Sequence, residues 1–140
     1  MKALVIGGSG FIGSFVADNL SSKGYKVTIF DKKKSSWIGK KQKFVKGNIL
    51  NIREIEKVIR KNEVVFHFAA LADLNEAINK PLDTVRINIL GTVNALEASK
   101  KFKIKRFVYA SSIYATSNEG GFYKCSKKAA EDYIEEYKKR

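Results

Sequence analysis

The chain has 140 residues but only one cysteine, one proline, one histidine, one tryptophan and one methionine. Cys125 cannot close an internal disulfide, which points to a reducing, cytoplasmic setting. One histidine (His67) and one cysteine in unrelated places make no ligand set, so no metal is expected. No apolar run nears the roughly 20 residues of a membrane span. Met1 and Lys2 before an apolar stretch loosely mimic a signal peptide. Glycines cut that stretch short, however, and no small-residue cleavage site follows. Acids are few beside bases, 14 against 27, for a net charge of +13. Apolar residues are not scarce: 44% hydrophobic with 11% aromatic excludes a disordered chain. The length predicts one domain over residues 1–140, able to bury about two-thirds of its unfolded surface.

Such a basic chain attracts polyanions. Its lysines are scattered through the sequence, among them 23, 26, 32–34, 40, 41, 43, 100, 101, 103, 105, 138 and 139. No aromatic-interleaved basic platform and no helix-turn-helix pattern stands out. The expectation is a solvated lysine surface rather than a nucleic-acid interface.

Residues 4–13 read Leu-Val-Ile-Gly-Gly-Ser-Gly-Phe-Ile-Gly. An apolar strand runs into Gly7, Gly10 and Gly13 and then into an apolar-periodic helix. Gly7 permits the tight turn, Gly10 lets backbone approach a pyrophosphate, and Gly13 lets helix pack on strand. The helix N-terminus offers N–H groups and a positive dipole end to phosphate. Asp31 ends the next strand, where a carboxylate accepts both ribose hydroxyls of NAD and repels the 2′-phosphate of NADP. Lys32, which follows it, is assigned to the same cofactor site. Lys32, Lys33 and Lys34 could instead grip a 2′-phosphate, against which Asp31 argues, or form a solvated loop.

Strand and helix patterns alternate along the chain. Strands are predicted at 2–6, 26–31, 43–46, 64–68 and 106–111. Helices are predicted at 11–23, 51–61, 82–101 and 122–139, with a polar loop at 32–42. In the first helix Phe11, Ile12, Phe15, Val16 and Leu20 share one face, taken as the buried one. Repeated βα units predict an α/β fold, a doubly wound parallel sheet of order 3-2-1-4-5. The cofactor should cross the carboxyl ends of strands 1 and 4. His67, in an apolar strand, reads as a satisfied core residue, and Cys125 as packed or incidental.

After the fifth strand come Ser112 and then Tyr123-Lys124-Cys125-Ser126-Lys127. Tyr123 and Lys127, four apart, share a helix face. An ammonium about 4 Å from a phenol is worth up to about 4 kcal/mol at an effective dielectric of 20, enough to pull the phenol towards neutrality. Ser112 could align a substrate hydroxyl or carbonyl while Tyr123 moves its proton and hydride passes to or from a nicotinamide.

Taken together, these residues resemble the extended short-chain dehydrogenase/reductase family, specifically its NAD-dependent epimerase/dehydratases of nucleotide sugars. The resemblance covers essentially the whole chain and implies a Rossmann fold. It implies cofactor contacts at Gly7, Gly10, Phe11, Ile12 and Gly13, at Asp31, and at Asn48-Ile49 beside adenine. Phe68, Ala69 and Ala70 would line the cofactor after the fourth strand, and Tyr123 and Lys127 would also touch it. Ser112, Tyr123 and Lys127 would be catalytic, supported by Asn88. Asn48 stands where the family usually has an acid. The resemblance further implies a homodimer through helices 82–101 and 122–139, along Val85, Ile89, Val93 and Leu96 and along Ala130, Tyr133, Ile134 and Tyr137. Family members continue into a smaller substrate domain, which is expected to be lacking here. The expected function is hydride transfer on a nucleotide sugar; the alternative is an NAD-binding module or subunit without turnover of its own.

Overall fold

The computed structural model describes residues 1–139. Its five strands are β1 (Lys2–Ile6), β2 (Lys26–Asp31), β3 (Lys43–Lys46), β4 (Val64–His67) and β5 (Arg106–Tyr109). All neighbours pair in parallel, in the order β3-β2-β1-β4-β5 predicted from the sequence. After Lys2, β1 is apolar and fully buried because helices cover both of its faces. Leu4 and Ile6 join Phe30, Ile55, Ile59 and Val65 in the core on one side. Ala3 and Val5 join Ala17, Leu20, Val27 and Ile29 on the other.

The helices are α1 (Phe11–Ser22), α2 (Ile52–Ile59), α3 (Leu74–Asn79), α4 (Pro81–Thr84), α5 (Gly91–Lys101) and α6 (Gly121–Lys138). Between α4 and α5 the backbone continues as a π-helical segment, Val85–Leu90, and a 3-10 turn spans Ile113–Thr116. The long helix expected at 82–101 is therefore α4, the π segment and α5 in series, with Pro81 opening it. α3, which the sequence reading left out, starts where the Asp73 carboxylate accepts the Glu76 N–H at 2.7 Å. α2 is capped by Asn51, whose amide also reaches Glu54.

The buried face of α1 differs from the predicted one. Phe11 is 69% exposed, and Ile12 and Phe15 are also exposed. The residues turned inward are Gly13, Ser14, Ala17 and Leu20. Gly13 sets this rotation. A Cβ there would lie 2.4 Å from the Gly7 carbonyl oxygen, so only this face can approach the loop. The outer three aromatics form a cluster of their own, with Phe11 edge-on to both Phe15 and Trp37.

Candidate active site

Because every strand is parallel, their carboxyl ends share one edge, where the chain builds a cleft of about 430 Å³. Gly7, Gly10, Asp31, Lys32, Asn48, Ile49, Phe68, Ala69 and Ala70 all line it. Gly7 has φ +79°, and a Cβ there would fall 2.4 Å from the Ala69 nitrogen, so the turn from β1 leaves no room for a side chain. Gly13 lies beneath the loop rather than in the cleft. Phe11 and Ile12 stand on the first turn of α1 with exposed side chains.

Gly10 is different. A Cβ there would meet only the Gly7 oxygen, at 3.4 Å. The protein does not need that glycine for its own packing, whereas a group lying close over the loop would. α1 begins at Gly10 with no side-chain cap, which leaves its first-turn N–H groups suited to an anion. The Asp31 carboxylate accepts the Ser9 N–H at 3.0 Å and the Lys33 N–H at 3.4 Å and keeps acceptor capacity at the rim. Asn48 is fixed locally: its side chain accepts the Leu50 N–H at 3.0 Å, and its N–H donates to Glu54 at 2.8 Å. Glycine loop, helix N-terminus, carboxylate and the apolar wall of Phe68 and Ala69 fit a dinucleotide.

β5 and α6 bring Ser112, Tyr123 and Lys127 together beyond β4. Ser112 caps the 3-10 turn, accepting the Tyr114 N–H at 3.2 Å, and Tyr114 packs edge-on against Tyr123. Lys127 is buried; its Nζ donates to the Ala110 carbonyl at 2.8 Å and lies 4.7 Å from the centre of the Tyr109 ring and 5.6 Å from that of Tyr123. The expected depression of the tyrosine by the lysine is not found. Burial holds the Tyr123 phenol above its ordinary value, and only its hydrogen bonding with Ser112 pulls it down. Burial brings Lys127 itself down to about 8, against an upward pull from Glu131. The ammonium faces a carbonyl and two ring faces rather than the phenol oxygen, which explains the difference.

Asn88, in the π segment, is buried behind this set and does not reach it directly. Its Oδ1 accepts the Leu71 N–H at 2.7 Å, while its Nδ2 donates to the Leu71 carbonyl at 3.0 Å and to Ser126 Oγ at 2.9 Å. Ser126 in turn donates to the Tyr123 carbonyl at 2.7 Å. One amide thus ties the cleft loop after β4 to the turn of α6 that carries the tyrosine. His67 continues the network. Thr92 donates to the Asn88 carbonyl at 2.7 Å, so the 2.9 Å contact between Thr92 and His67 Nε2 is a donation from the imidazole. That tautomer leaves His67 Nδ1 as a buried acceptor without a partner among the described residues, beside the equally unpartnered Tyr109 hydroxyl. The histidine is therefore only half satisfied. Burial drives its pKa down to about 3, with the charge of Lys127 adding to the effect.

Sequence reasoning missed Ser126, Thr92 and Glu131. Glu131 follows Lys127 by one helical turn and accepts from the Ser111 hydroxyl, which joins the end of β5 to α6. Its i, i+4 spacing from Lys127 was the available signal. Cys125 is exposed rather than packed. Among the described residues no His/Cys/Asp/Glu cluster could hold a metal, and no helix is long and apolar enough to cross a membrane. The presumed dimer stripes are divided. Leu96 and Ala130 are buried, Val85 and Tyr133 are exposed, and Ile89, Val93, Ile134 and Tyr137 are half-buried.

Known proteins are similar to the chain in sequence and in fold. A UDP-glucose 4-epimerase of Schizosaccharomyces pombe is 36% identical over 78% of this chain and 34% of its own length. The crystal structure of UDP-glucose 4-epimerase with UDP-glucose from Thermotoga maritima superimposes with a TM-score of 0.92 at 29% identity, covering 100% of this chain and 52% of that one. The Thermus thermophilus UDP-glucose 4-epimerase complex with NAD does so with 0.90 at 29% identity, over 99% and 51%. The chain spans about half the length of these two structures. The family model of the NAD dependent epimerase/dehydratases matches residues 3–140, and the chain belongs to that family.

Proposed function

We propose that this chain binds NAD in the cleft and carries the proton-transfer set of a nucleotide-sugar epimerase. The observation that carries this reading is the convergence of Ser112, Tyr123 and Lys127 beside a cleft lined by Gly7, Gly10 and Asp31. The family match and the relatives' names support NAD as cofactor and a nucleoside-diphosphate sugar as substrate.

Bound NAD supplies an acceptor and donor of hydride. The protein does the rest. The Gly7–Gly10 backbone and first turn of α1 hold the pyrophosphate, Asp31 the adenosine ribose, and Asn48, Ile49, Phe68, Ala69 and Ala70 line the remaining length. Lys32, Phe11 and Ile12 complete the cofactor set, and Gly13 serves it from beneath by letting α1 pack against the loop. Ser112 orients the sugar hydroxyl, and Tyr123 takes its proton at the phenol oxygen and later returns it. In the free protein burial outweighs Lys127 at the Tyr123 phenol; with cofactor bound, the ammonium 5.6 Å from the ring centre and a cationic nicotinamide would together supply the field that favours the phenolate. Asn88 keeps the set in place through Leu71 and Ser126.

The residues 1–140 act as one domain in this reading. The exposed parts of the two stripes, Val85 and Tyr133, favour a homodimer, and the lone exposed cysteine suits a reducing cytoplasm. A cofactor-binding module without turnover of its own is the second reading: the residues lining the cleft are those assigned to the cofactor, and Ser112, Tyr123 and Lys127 do not line it.

Calorimetric titration of NAD⁺ and NADP⁺ tests the first step. Micromolar NAD⁺ binding that weakens in Asp31→Ala supports the assigned site. Absence of binding to either nucleotide removes both readings.

A further inference from the structure

Lysines that are scattered along the sequence are gathered by the topology. All strands run in parallel, so their first residues share one edge, opposite the cleft. Each helix returns from the carboxyl end of one strand to the amino end of the next, so helix C-termini reach the same end. Lys43, Lys26, Lys2 and Arg106 open β3, β2, β1 and β5. At about 4.8 Å between neighbouring strands, that row spans about 19 Å.

Two grooves open along it. One, of about 580 Å³, is edged by Lys2, Lys26, Lys41, Lys43 and Lys61. The other, of about 490 Å³, is edged by Lys100, Lys103, Lys105, Arg106 and Lys138. The acid between them is already engaged: Glu63 pairs with Lys105 at 2.7 Å and accepts the Lys2 N–H at 2.8 Å. None of the five lysines of the first groove has an ion-pair partner among the described residues. Helix dipoles explain cations at helix C-termini such as Lys100 and Lys101. They do not explain the cations that open the strands, where no such dipole exists.

We propose that the amino-terminal end of the sheet is a docking surface for nucleic acid, held through its phosphates in these two basic grooves. The exposed apolar side chains Phe11, Ile52, Ile113 and Phe122 sit near helix and turn starts at the cleft end. At the basic end the exposed Met1 stands beside Lys2, but one side chain offers far less apolar area than the helix face that anchors a protein to a membrane surface. A row of like charges repeated at strand spacing matches a regularly charged polymer and draws its binding energy from counterion release. The surface lies away from the cleft, so it operates whether or not the cofactor reading holds.

The test is fluorescence anisotropy of labelled single-stranded RNA and DNA oligomers across a salt series, with the intact chain. Saturable binding at physiological ionic strength is expected, with a slope of log affinity against log salt of about −3.5 if the first groove engages five phosphates. The triple variant Lys26→Glu, Lys43→Glu, Lys61→Glu should bind at least about 10-fold more weakly, with a slope shallower by about 2. Its melting temperature should match the parent's, because all three side chains are exposed. No saturable binding at that ionic strength, or undiminished binding by the triple variant, overturns the proposal. So does tighter binding to phosphatidylserine vesicles or to polyglutamate than to the oligomers.

Discussion

The glycine loop and the β5–α6 edge lie at the same carboxyl end of the sheet, yet they are built from different materials. In the loop, backbone touches backbone. A Cβ at Gly7 would press on the Ala69 nitrogen, and one at Gly13 on the Gly7 oxygen, each at 2.4 Å. At the β5–α6 edge, side chains meet side chains across long stretches of sequence: Asn88 with Ser126, Ser111 with Glu131, Lys127 with the Tyr109 and Tyr123 rings. Two buried polar atoms there, His67 Nδ1 and the Tyr109 hydroxyl, have no partner among the described residues. The loop works by shape and tolerates no added atom at Gly7 or Gly13. The edge works by charge and responds to pH.

The widest separation between the two is expected from the loop's own glycines. Gly7→Val places a β-branched residue at φ +79° against backbone and should cost at least about 4 kcal/mol, or abolish folding. Gly10→Ala meets only an ordinary contact and should change stability by no more than about 0.5 kcal/mol. It should nonetheless weaken NAD⁺ at least about 10-fold, because the added methyl enters the space reserved for pyrophosphate. Thermal melts and calorimetry on both variants decide this. A Gly10→Ala chain that binds NAD⁺ normally would break the assignment of shape to the loop.

The edge is expected to answer to acid. His67 is neutral in the folded protein, with its pKa held down to about 3 from 6.5. Below pH 6.5 the unfolded chain binds a proton that the folded chain refuses, so stability falls as pH drops towards 3. At about 1.4 kcal/mol per pH unit the loss can approach 5 kcal/mol. His67→Gln should flatten that limb of the stability curve, whatever it does to stability at neutral pH. Denaturant unfolding at a series of pH values measures the slope, and an unchanged slope would assign acid sensitivity elsewhere.

Tyr123→Phe separates the two ends functionally. Removing the phenol oxygen should lower nucleotide-sugar turnover by about 10²–10⁴-fold. NAD⁺ affinity should stay within about threefold, since the loop and Asp31 are untouched. Loss of both together would mean that the tyrosine holds cofactor rather than moving protons.

The same contrast explains what could be read from the sequence. Strand order, strand starts and the tight glycine turn into α1 were legible because each depends on residues adjacent in the chain: an apolar run, three spaced glycines, an acid at a strand end. The inward face of α1 was not, because apolar periodicity pointed to Phe11, Ile12 and Phe15 while the close approach of Gly13 fixed the rotation. The π segment was hidden for a similar reason. Thr84, Asn88 and Thr92 keep an i, i+4 pattern that looks helical, and the extra turn width shows only in the backbone. Ser126 and Glu131 are ordinary helix residues until Asn88 and Ser111 are placed opposite them. The charge distribution was the least legible of all, since strand starts separated by 15 or more residues become neighbours only in the sheet.

Glu131 offers the finest probe of the charged edge. Its carboxylate lifts the pKa of Lys127 against burial, which brings the lysine down to about 8. Glu131→Gln keeps an oxygen for the Ser111 hydroxyl and removes only the charge. Lys127 should then release its proton at lower pH, by about half a pH unit, because solvent screening at a half-buried carboxylate leaves less than about 1 kcal/mol. NMR titration of the Lys127 side chain reads the shift directly, without any need for turnover. Where turnover is present, the alkaline limb of its pH profile should move in the same direction, since in the proposed mechanism the Lys127 ammonium supplies part of the field on the Tyr123 phenolate once cofactor is bound. The glycine loop carries no comparable charge, so NAD⁺ affinity at neutral pH should not move. A Glu131→Gln variant that leaves the lysine titration unchanged would show that Ser111 and Glu131 only fasten β5 to α6, and that burial alone sets the charge state of Lys127.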